Sequence, residues 1–200
     1  MSIRISSVLS VLLLSIQVLA QQSAEPAEQA PPRLVIHKRD YNLNRAYADV
    51  FKILSDQNTC SRFYGGSRAA IIVLNDFVGN VKSEPLTPEV AFHMMGRPRL
   101  VREPSTGASY RLFERALINT NGSFYVRRDD PLRKFPSDVG SFAAGSRPAR
   151  ALILLHELGH LIQGDEGAWL LPDDGDNLAQ SKANTLRVQH ECSTQLESLQ

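Results

Sequence analysis

The segment LILLHELGHLIQG, residues 152–164, places two histidines and a glutamate in an otherwise apolar stretch. On a helix, His156 and His160 leave the same face about one turn apart, so both imidazoles can converge on a single ion. Glu157 lies about 100° around the helix from His156, within reach of a water held by that ion. Burying three ionisable groups costs free energy unless a partner compensates, and the spacing therefore predicts a metal site.

Zinc is the metal that suits this donor set, because neutral imidazoles are common zinc ligands. A third protein ligand would leave the fourth position for water. The bound zinc lowers the pKa of that water, and Glu157 can accept its proton as the hydroxide attacks a carbonyl. The alternative interpretation is a structural helix in which His156 and His160 find local hydrogen-bond partners.

The third ligand is expected on the segment that follows this helix. The sequence PDDGDN, residues 172–177, holds three aspartates on a predicted turn. Asp174 lies fourteen residues past His160, and this is enough chain to fold back to the ion. The candidates, in order, are Asp174, Asp176, Glu166 and His190. The acidic turn can also be interpreted as a solvated loop that caps the last helix, or as an oxygen-rich calcium-like site.

The sequence HELGH at residues 156–160 resembles the HExxH motif of the zincin metallopeptidases. The resemblance covers residues 149–164 and the segment after them. It implies one zinc on His156 and His160, with Glu157 as general base and proton shuttle in peptide hydrolysis. Aspartate-ligand zincins take their third ligand from the segment after the helix, which favours Asp174. The implied fold is α+β: a small zincin-like domain with a small antiparallel sheet and a buried metal-binding helix.

Peptide hydrolysis also needs a hydrogen-bond donor for the negative charge that develops on the carbonyl oxygen. Tyr110, Tyr125 and His190 are the candidates, and the sequence does not choose among them. If a strand borders the cleft, its edge can accept an extended peptide as an added strand.

The composition places any function at a local site. A chain of 200 residues with 42% hydrophobic content suffices for one compact domain with a core. The 22 Lys and Arg residues nearly balance the 21 Asp and Glu residues, which argues against nucleic acid as a partner. The expected partner is a peptide or protein substrate, and the sequence predicts no oligomeric state.

The N-terminus has the layout of a secretory signal peptide. An apolar run from Val8 to Leu19 ends in small residues, which predicts residues 1–20 as the signal and cleavage after Ala20. The run is short for a membrane span, although an uncleaved anchor is the alternative. Residues 21–33 contain three prolines and no large apolar side chain, so a flexible leader is expected before a single domain at 34–200. The expected location is secreted or periplasmic, without stable membrane association after cleavage.

Export changes the interpretation of the two cysteines. In an oxidising compartment Cys60 and Cys192 can pair, and we expect a disulfide between them. The alternative is two buried free thiols.

Hydrophobic periodicity predicts the elements that position the site. The metal helix should start at Ser146, with Pro148 in its first turn, and stop at Gly164. Further helices are predicted at 42–55, 67–82 and 181–196. Strands are predicted at 98–103, 109–118 and 123–127, and loops at 60–66 and 129–147. Trp169 is expected to pack against the metal helix.

Together these observations predict a secreted zinc-dependent peptidase that acts through a zinc-bound water and Glu157. The rival from another class is a non-catalytic secreted binding or structural protein. In that protein a metal would only fasten the C-terminal segment to the helix.

Overall fold

The structure is a computed structural model that describes residues 40–87, 91–127, 137–164 and 167–200. All of these residues belong to one compact unit. The predicted signal peptide, the leader and the candidate ligand Glu166 lie outside the described residues.

The protein has a mixed α+β fold in which six helices accompany five short strands across the described residues. The elements in chain order are α1 Tyr41–Ser55, α2 Thr59–Phe63, α3 Ser67–Gly79, β1 Val81–Glu84, β2 Phe92–Met95, β3 Arg99–Arg102, β4 Ser109–Leu112, β5 Arg115–Asn119, α4 Arg147–Leu161, α5 Leu178–Glu191 and α6 Ser193–Glu197. No helix in this part of the chain has the length and apolar character needed to cross a membrane.

The strands form two sheets. The larger has the order β1-β5-β2, with β1 parallel and β2 antiparallel to the central β5. The smaller is an antiparallel pair of β3 and β4, in which Val101 lies opposite Tyr110. The predicted small antiparallel sheet is present as the β3–β4 pair, but the larger sheet is mixed, because β1 pairs with β5 in parallel.

Several predicted boundaries change in the structure. The predicted strand 109–118 breaks at residues 113–114 into β4 and β5, which belong to different sheets. The predicted strand 123–127 is a turn, since the backbone N–H groups of Tyr125 and Val126 both donate to the carbonyl of Gly122. The strand β1 begins at Val81, so the helix predicted at 67–82 ends earlier, at Gly79.

The predicted loop at 60–66 contains the helix α2. Asn58 caps it by accepting a hydrogen bond from the backbone N–H of Ser61, whose side chain accepts one from the backbone of Asn58 in return. This capping box satisfies two free amides and allows a helix of only five residues. The predicted last helix, 181–196, is two helices that meet at Cys192.

The helix α4 lies at the centre of the molecule, packed against α1 and α5. Its side chains are buried on nearly every side, including Leu152, Leu154 and Leu158. Ser146 caps the helix by accepting from the N–H of Ala149, as predicted, and a proline occupies the first turn. The helix is thus held rigidly by its apolar surroundings, and it ends at residue 161.

The predicted disulfide between Cys60 and Cys192 is confirmed, with their Cα atoms 4.5 Å apart. It joins α2 to the end of α5 and spans 132 residues of sequence. Next to it, the buried hydroxyl of Tyr64 donates to the carbonyl of Leu155 at 2.6 Å. The bridge and this hydrogen bond together brace α4 and α5, the two helices that carry the site described next.

Candidate metal centre

The two histidines of α4 face each other on one side of the helix. The Nε2 atoms of His156 and His160 are 3.0 Å apart, and both side chains are buried. The four-residue spacing produces this arrangement because one helical turn separates them. The two imidazoles therefore share one face of α4, as the sequence predicted.

Asp174 approaches these histidines from the segment between α4 and α5. Its Oδ2 atom is 3.1 Å from Nε2 of His156 and 3.4 Å from Nε2 of His160. The potential ligand atoms of the three residues all lie within 4.8 Å of one another. Among the described residues this is the one cluster of three or more His, Cys, Asp or Glu side chains with metal-binding geometry.

This geometry fits zinc. Ligand atoms at the usual zinc distances stand about 3.3 Å apart in a tetrahedral site, and those of His156, His160 and Asp174 are 3.0 to 3.4 Å apart. Hydrogen bonds alone pair these three atoms poorly. With Asp174 ionised, wherever the imidazole protons are placed, one of the three contacts joins two N–H groups or two lone pairs. A cation would attract a lone pair from each, and two imidazoles with one carboxylate are a donor set that zinc accepts.

Helix α5 holds two of the three candidate ligands in place. The Thr185 hydroxyl lies 3.0 Å from Nδ1 of His156, the nitrogen that points away from the cluster. The Asn184 amide donates to Asp174 at 3.3 Å and to the carbonyl of Pro172 at 2.9 Å. Partners of this kind orient metal ligands and are needed for full metal affinity. Nothing in the sequence singled out Thr185 or Asn184, because their role depends on how α5 packs against α4.

The charges of the cluster are consistent with cation binding. Burial would raise the pKa of Asp174, but hydrogen bonds with His156 and His160 outweigh it and hold that pKa well below its usual value. Burial would lower the pKa of His160, yet the nearby carboxylates of Asp174 and Glu157 raise it. The Asp174 side chain is therefore an anion, the form that binds a metal.

Glu157 lies beside the cluster at the wall of a cavity of about 560 Å³, which His156 also lines. No hydrogen bond or ion pair joins its carboxylate to another described residue. Burial raises the pKa of Glu157, and the two histidines offset part of that rise. The carboxylate is thus available to a molecule that enters the cavity.

A glycine in α4 allows Asp174 to reach the histidines. The N–H of Leu171 donates to the carbonyl of Gly159 at 3.0 Å. A Cβ at position 159 would lie 2.6 Å from the Leu171 side chain, closer than side chains approach in proteins. Glycine disfavours a helix interior by about 1 kcal/mol relative to alanine, and the close approach is the reason that it occurs here.

The other predicted ligands among the described residues are not part of the cluster. Asp176 and His190 are exposed and lie outside the three-residue group. The two tyrosines proposed as oxyanion donors are engaged elsewhere: Tyr110 donates to Asp76 at 2.7 Å, and Tyr125 donates to Asp40. None of these four side chains lines the cavity beside Glu157. Trp169 pairs with Gln163, just past the end of α4.

Comparison of the chain with protein-family models, with curated proteins and with solved structures finds no match. The resemblance to zincins therefore rests on the HELGH segment and on the arrangement around it. Because folds host many unrelated activities, the function has to be argued from the site.

Proposed function

We propose that the protein is an exported zinc-dependent peptidase with a zincin-like catalytic centre. The observation that carries this proposal is the convergence of His156, His160 and Asp174 beside the Glu157 carboxylate, which has no partner among the described residues. Three protein ligands leave one position of a tetrahedral ion for a reactant, which is typical of catalytic rather than structural zinc.

The residues around the site have distinct chemical roles in this proposal. A zinc ion bound there would supply Lewis acidity toward water and toward the scissile carbonyl. Glu157 accepts a proton from the attacking water and passes it to the leaving amine. Its raised pKa favours the first transfer, because a buried carboxylate accepts a proton more readily than an exposed one. Thr185 keeps the His156 ring oriented throughout.

The cavity provides space for a peptide. Its walls include the apolar side chains of Ile153, Leu178 and Leu186, together with the turn at 137–140. Ala91, which directly precedes β2, also lines it, and β2 is at the edge of its sheet. An extended peptide added along this edge would lead into the cavity. The strands predicted from the sequence did not include β2, so the sequence had not indicated this edge as the one that accepts a peptide.

An oxidising compartment is part of the proposal. A disulfide between two fully buried cysteines is typical of secreted and periplasmic proteins. It accords with the signal peptide predicted at residues 1–20, which lies outside the described residues. We therefore place the proposed enzyme outside the cytosol.

The second candidate function is a metal staple without catalysis. It is favoured by the position of Asp174, which lies between α4 and α5, so that a metal would fasten the two helices together. The two candidates share the metal site and differ in the role of Glu157. A staple needs no carboxylate at the cavity wall.

Metal analysis and one substitution separate these candidates. We expect one zinc per chain, and we expect Glu157→Gln to lower kcat/KM on a cleaved peptide by about 100- to 10 000-fold. Zinc content and thermal stability should stay at the wild-type level, because Glu157 is not a ligand. The matched control is Glu197→Gln, which neutralises an exposed glutamate on α6 and should leave activity unchanged.

The contrary outcomes are distinct. A purified protein without stoichiometric zinc would show that the ligand assignment is wrong. Stoichiometric zinc without hydrolysis of any member of a peptide library would favour the staple.

A further inference from the structure

Arg111 of β4 is a buried arginine that contacts both sides of the proposed metal site. Its Nε–H donates to the carbonyl of His160 at 2.8 Å. Its two terminal nitrogens donate to the two carboxylate oxygens of Asp173, the residue before Asp174. The Arg111 guanidinium therefore links the backbone of His160 to Asp173, the residue that precedes Asp174.

The fold explains how an arginine from a sheet reaches this place. The backbone N–H of Gln163 donates to the carbonyl of Ser109 at 3.0 Å, and Tyr110 pairs with Ile162. The chain leaving α4 is thus aligned with β4. Arg111, the next residue of that strand, lies directly beside the last turn of α4.

The guanidinium also contacts the beginning of the segment that carries Asp174. We call residues 169–174 the strap. Arg111 stacks on the ring of Trp169, with 4.3 Å between the Cζ atom and the ring centroid. Cation–π contact adds to the two charge-assisted hydrogen bonds at Asp173. Arg111 therefore holds the strap near both of its ends, and Gly159 accepts the hydrogen bond of Leu171 at its middle.

The side chain of Asp173 is 69% exposed, so that without Arg111 it would be free to turn into solvent. A planar guanidinium that binds both carboxylate oxygens restricts direction as well as distance. Asp174 follows in the chain, so the orientation of Asp173 limits where the carboxylate of Asp174 can lie. The amide of Asn184 also donates to the carboxylate of Asp174, from helix α5.

We propose that Arg111 is a positioning residue of the metal site, which clamps the strap against α4 and thereby places Asp174 for metal binding. This inference rests on the metal site of the proposed function and not on catalysis. It assigns a role to a residue that touches neither the metal nor a substrate. Zinc affinity should therefore depend on Arg111, and it should do so through Asp174.

The test uses the full chain freed of metal with a chelator and titrated with zinc alone. The dissociation constant is measured by competition with a chromophoric chelator. Emission of Trp169, the single tryptophan of the chain, is followed in the same titration. We expect Arg111→Met to raise the dissociation constant for zinc by about 10- to 100-fold. The Trp169 emission of this variant should already differ from wild type without metal, because the stacked guanidinium is lost.

A double-mutant cycle shows whether the effect passes through Asp174. Asp174→Asn weakens zinc binding by removing a ligand, and adding Arg111→Met to it should weaken binding no further. Arg111→Lys keeps the charge but loses the planar group that binds both carboxylate oxygens of Asp173, so it should not restore wild-type zinc affinity. Asp173→Asn should act in the same direction as Arg111→Met and more weakly. Because the Asp173 side chain is exposed, this variant decides the question even if Arg111→Met does not fold.

The control is a second arginine–aspartate pair, which lies at the other end of α4. Arg147, in the first turn of α4, donates to both carboxylate oxygens of Asp49 at 2.7 and 2.6 Å. Arg147→Met removes an equivalent pair without touching the strap, and zinc affinity should stay within about threefold of wild type. Thermal unfolding of each metal-free variant verifies that it is folded.

Three results would overturn the inference. The first is wild-type zinc affinity in both Arg111→Met and Asp173→Asn while Asp174→Asn binds weakly. The second is additive weakening in the double variant, and the third is equal weakening by Arg147→Met. A wild-type chain that binds no zinc is a different result, since it removes the metal site itself and the proposed function with it.

Discussion

The two halves of α4 use polar residues in opposite ways. In the first half, residues 147–154, the polar groups are paired by the protein: Ser146, just before it, caps the helix, and Arg147 binds Asp49. In the second half, residues 155–161, the polar side chains are the two histidines of the candidate metal site and Glu157, whose carboxylate has no partner in the described part of the chain. Both halves lie in the same buried helix. Polar groups that support the fold are satisfied within it, whereas those of the proposed metal site are left incomplete.

The second half of α4 contains a contribution that is unfavourable to the stability of the fold, and the first half does not. Nδ1 of His160 is buried and has no hydrogen-bond partner among the described residues. A buried polar atom without a partner costs about 1–3 kcal/mol. A helix optimised for stability alone would carry an apolar residue at this position, so substitutions along α4 can separate binding from stability.

The largest effect should come from His160→Met. Loss of one of three ligands should weaken zinc binding by about a thousandfold or more. The metal-free protein should stay within about 1 kcal/mol of wild-type stability, because removal of the unsatisfied Nδ1 offsets the lost contact with Asp174. Chelator competition measures the affinity, and urea unfolding in the presence of chelator measures the stability.

The matched control is His93→Met, which changes an exposed histidine on β2 and should alter neither quantity. Destabilisation of the metal-free His160→Met protein by more than about 2 kcal/mol would mean that the second half of α4 is as structural as the first.

Leu152→Ala, in the first half of α4, should lower stability and leave zinc affinity nearly unchanged. Leu152 is fully buried, and its truncation should lower the free energy of unfolding by about 2–5 kcal/mol. Zinc affinity should change by less than about threefold, because the first half contributes no ligand. Denaturant unfolding and the same zinc titration measure both. A large loss of affinity in a folded variant would show that the two halves are coupled.

The smallest effects should come from two hydroxyl groups. Thr185→Val removes the partner of His156 Nδ1 and should weaken zinc binding by about tenfold with little change in metal-free stability. Ser146→Ala removes the helix cap and should lower stability by about 1 kcal/mol with no change in zinc affinity. Both variants are measured by zinc titration and thermal unfolding. If both variants lowered zinc affinity, or both lowered only stability, the two halves of α4 would not differ in the way described.

The parts of the fold that the sequence predicted well depend on local periodicity. The helix predicted at 42–55 and the start of α4 at its cap agree with the structure, since apolar spacing and capping act within a few residues. The strands β1 and β2 were not predicted. Each has only four residues, and three of the four in β1 are exposed, so no apolar alternation marks it. Their pairing with β5 is between segments distant in sequence, which local patterns do not report.

Residues 109–118 illustrate the same limit. Their alternation of apolar and polar residues correctly indicates extended structure, but it contains no sign that the strand breaks after Leu112 and continues in another sheet. At 123–127 the alternation misleads, because two backbone N–H groups bind the carbonyl of Gly122 and close a turn instead.

The amino-acid sequence by itself determined that His156 and His160 share a helical face with Glu157 beside them, because 3.6 residues per turn settle directions within one helix. It also identified the two cysteines that pair. The tertiary structure alone decided that Asp174, among the acidic candidates that the structure describes, meets the histidines. That choice depends on the strap crossing Gly159 and on Arg111 arriving from a sheet strand. Distances between segments far apart in sequence are set by packing, and no local pattern encodes them.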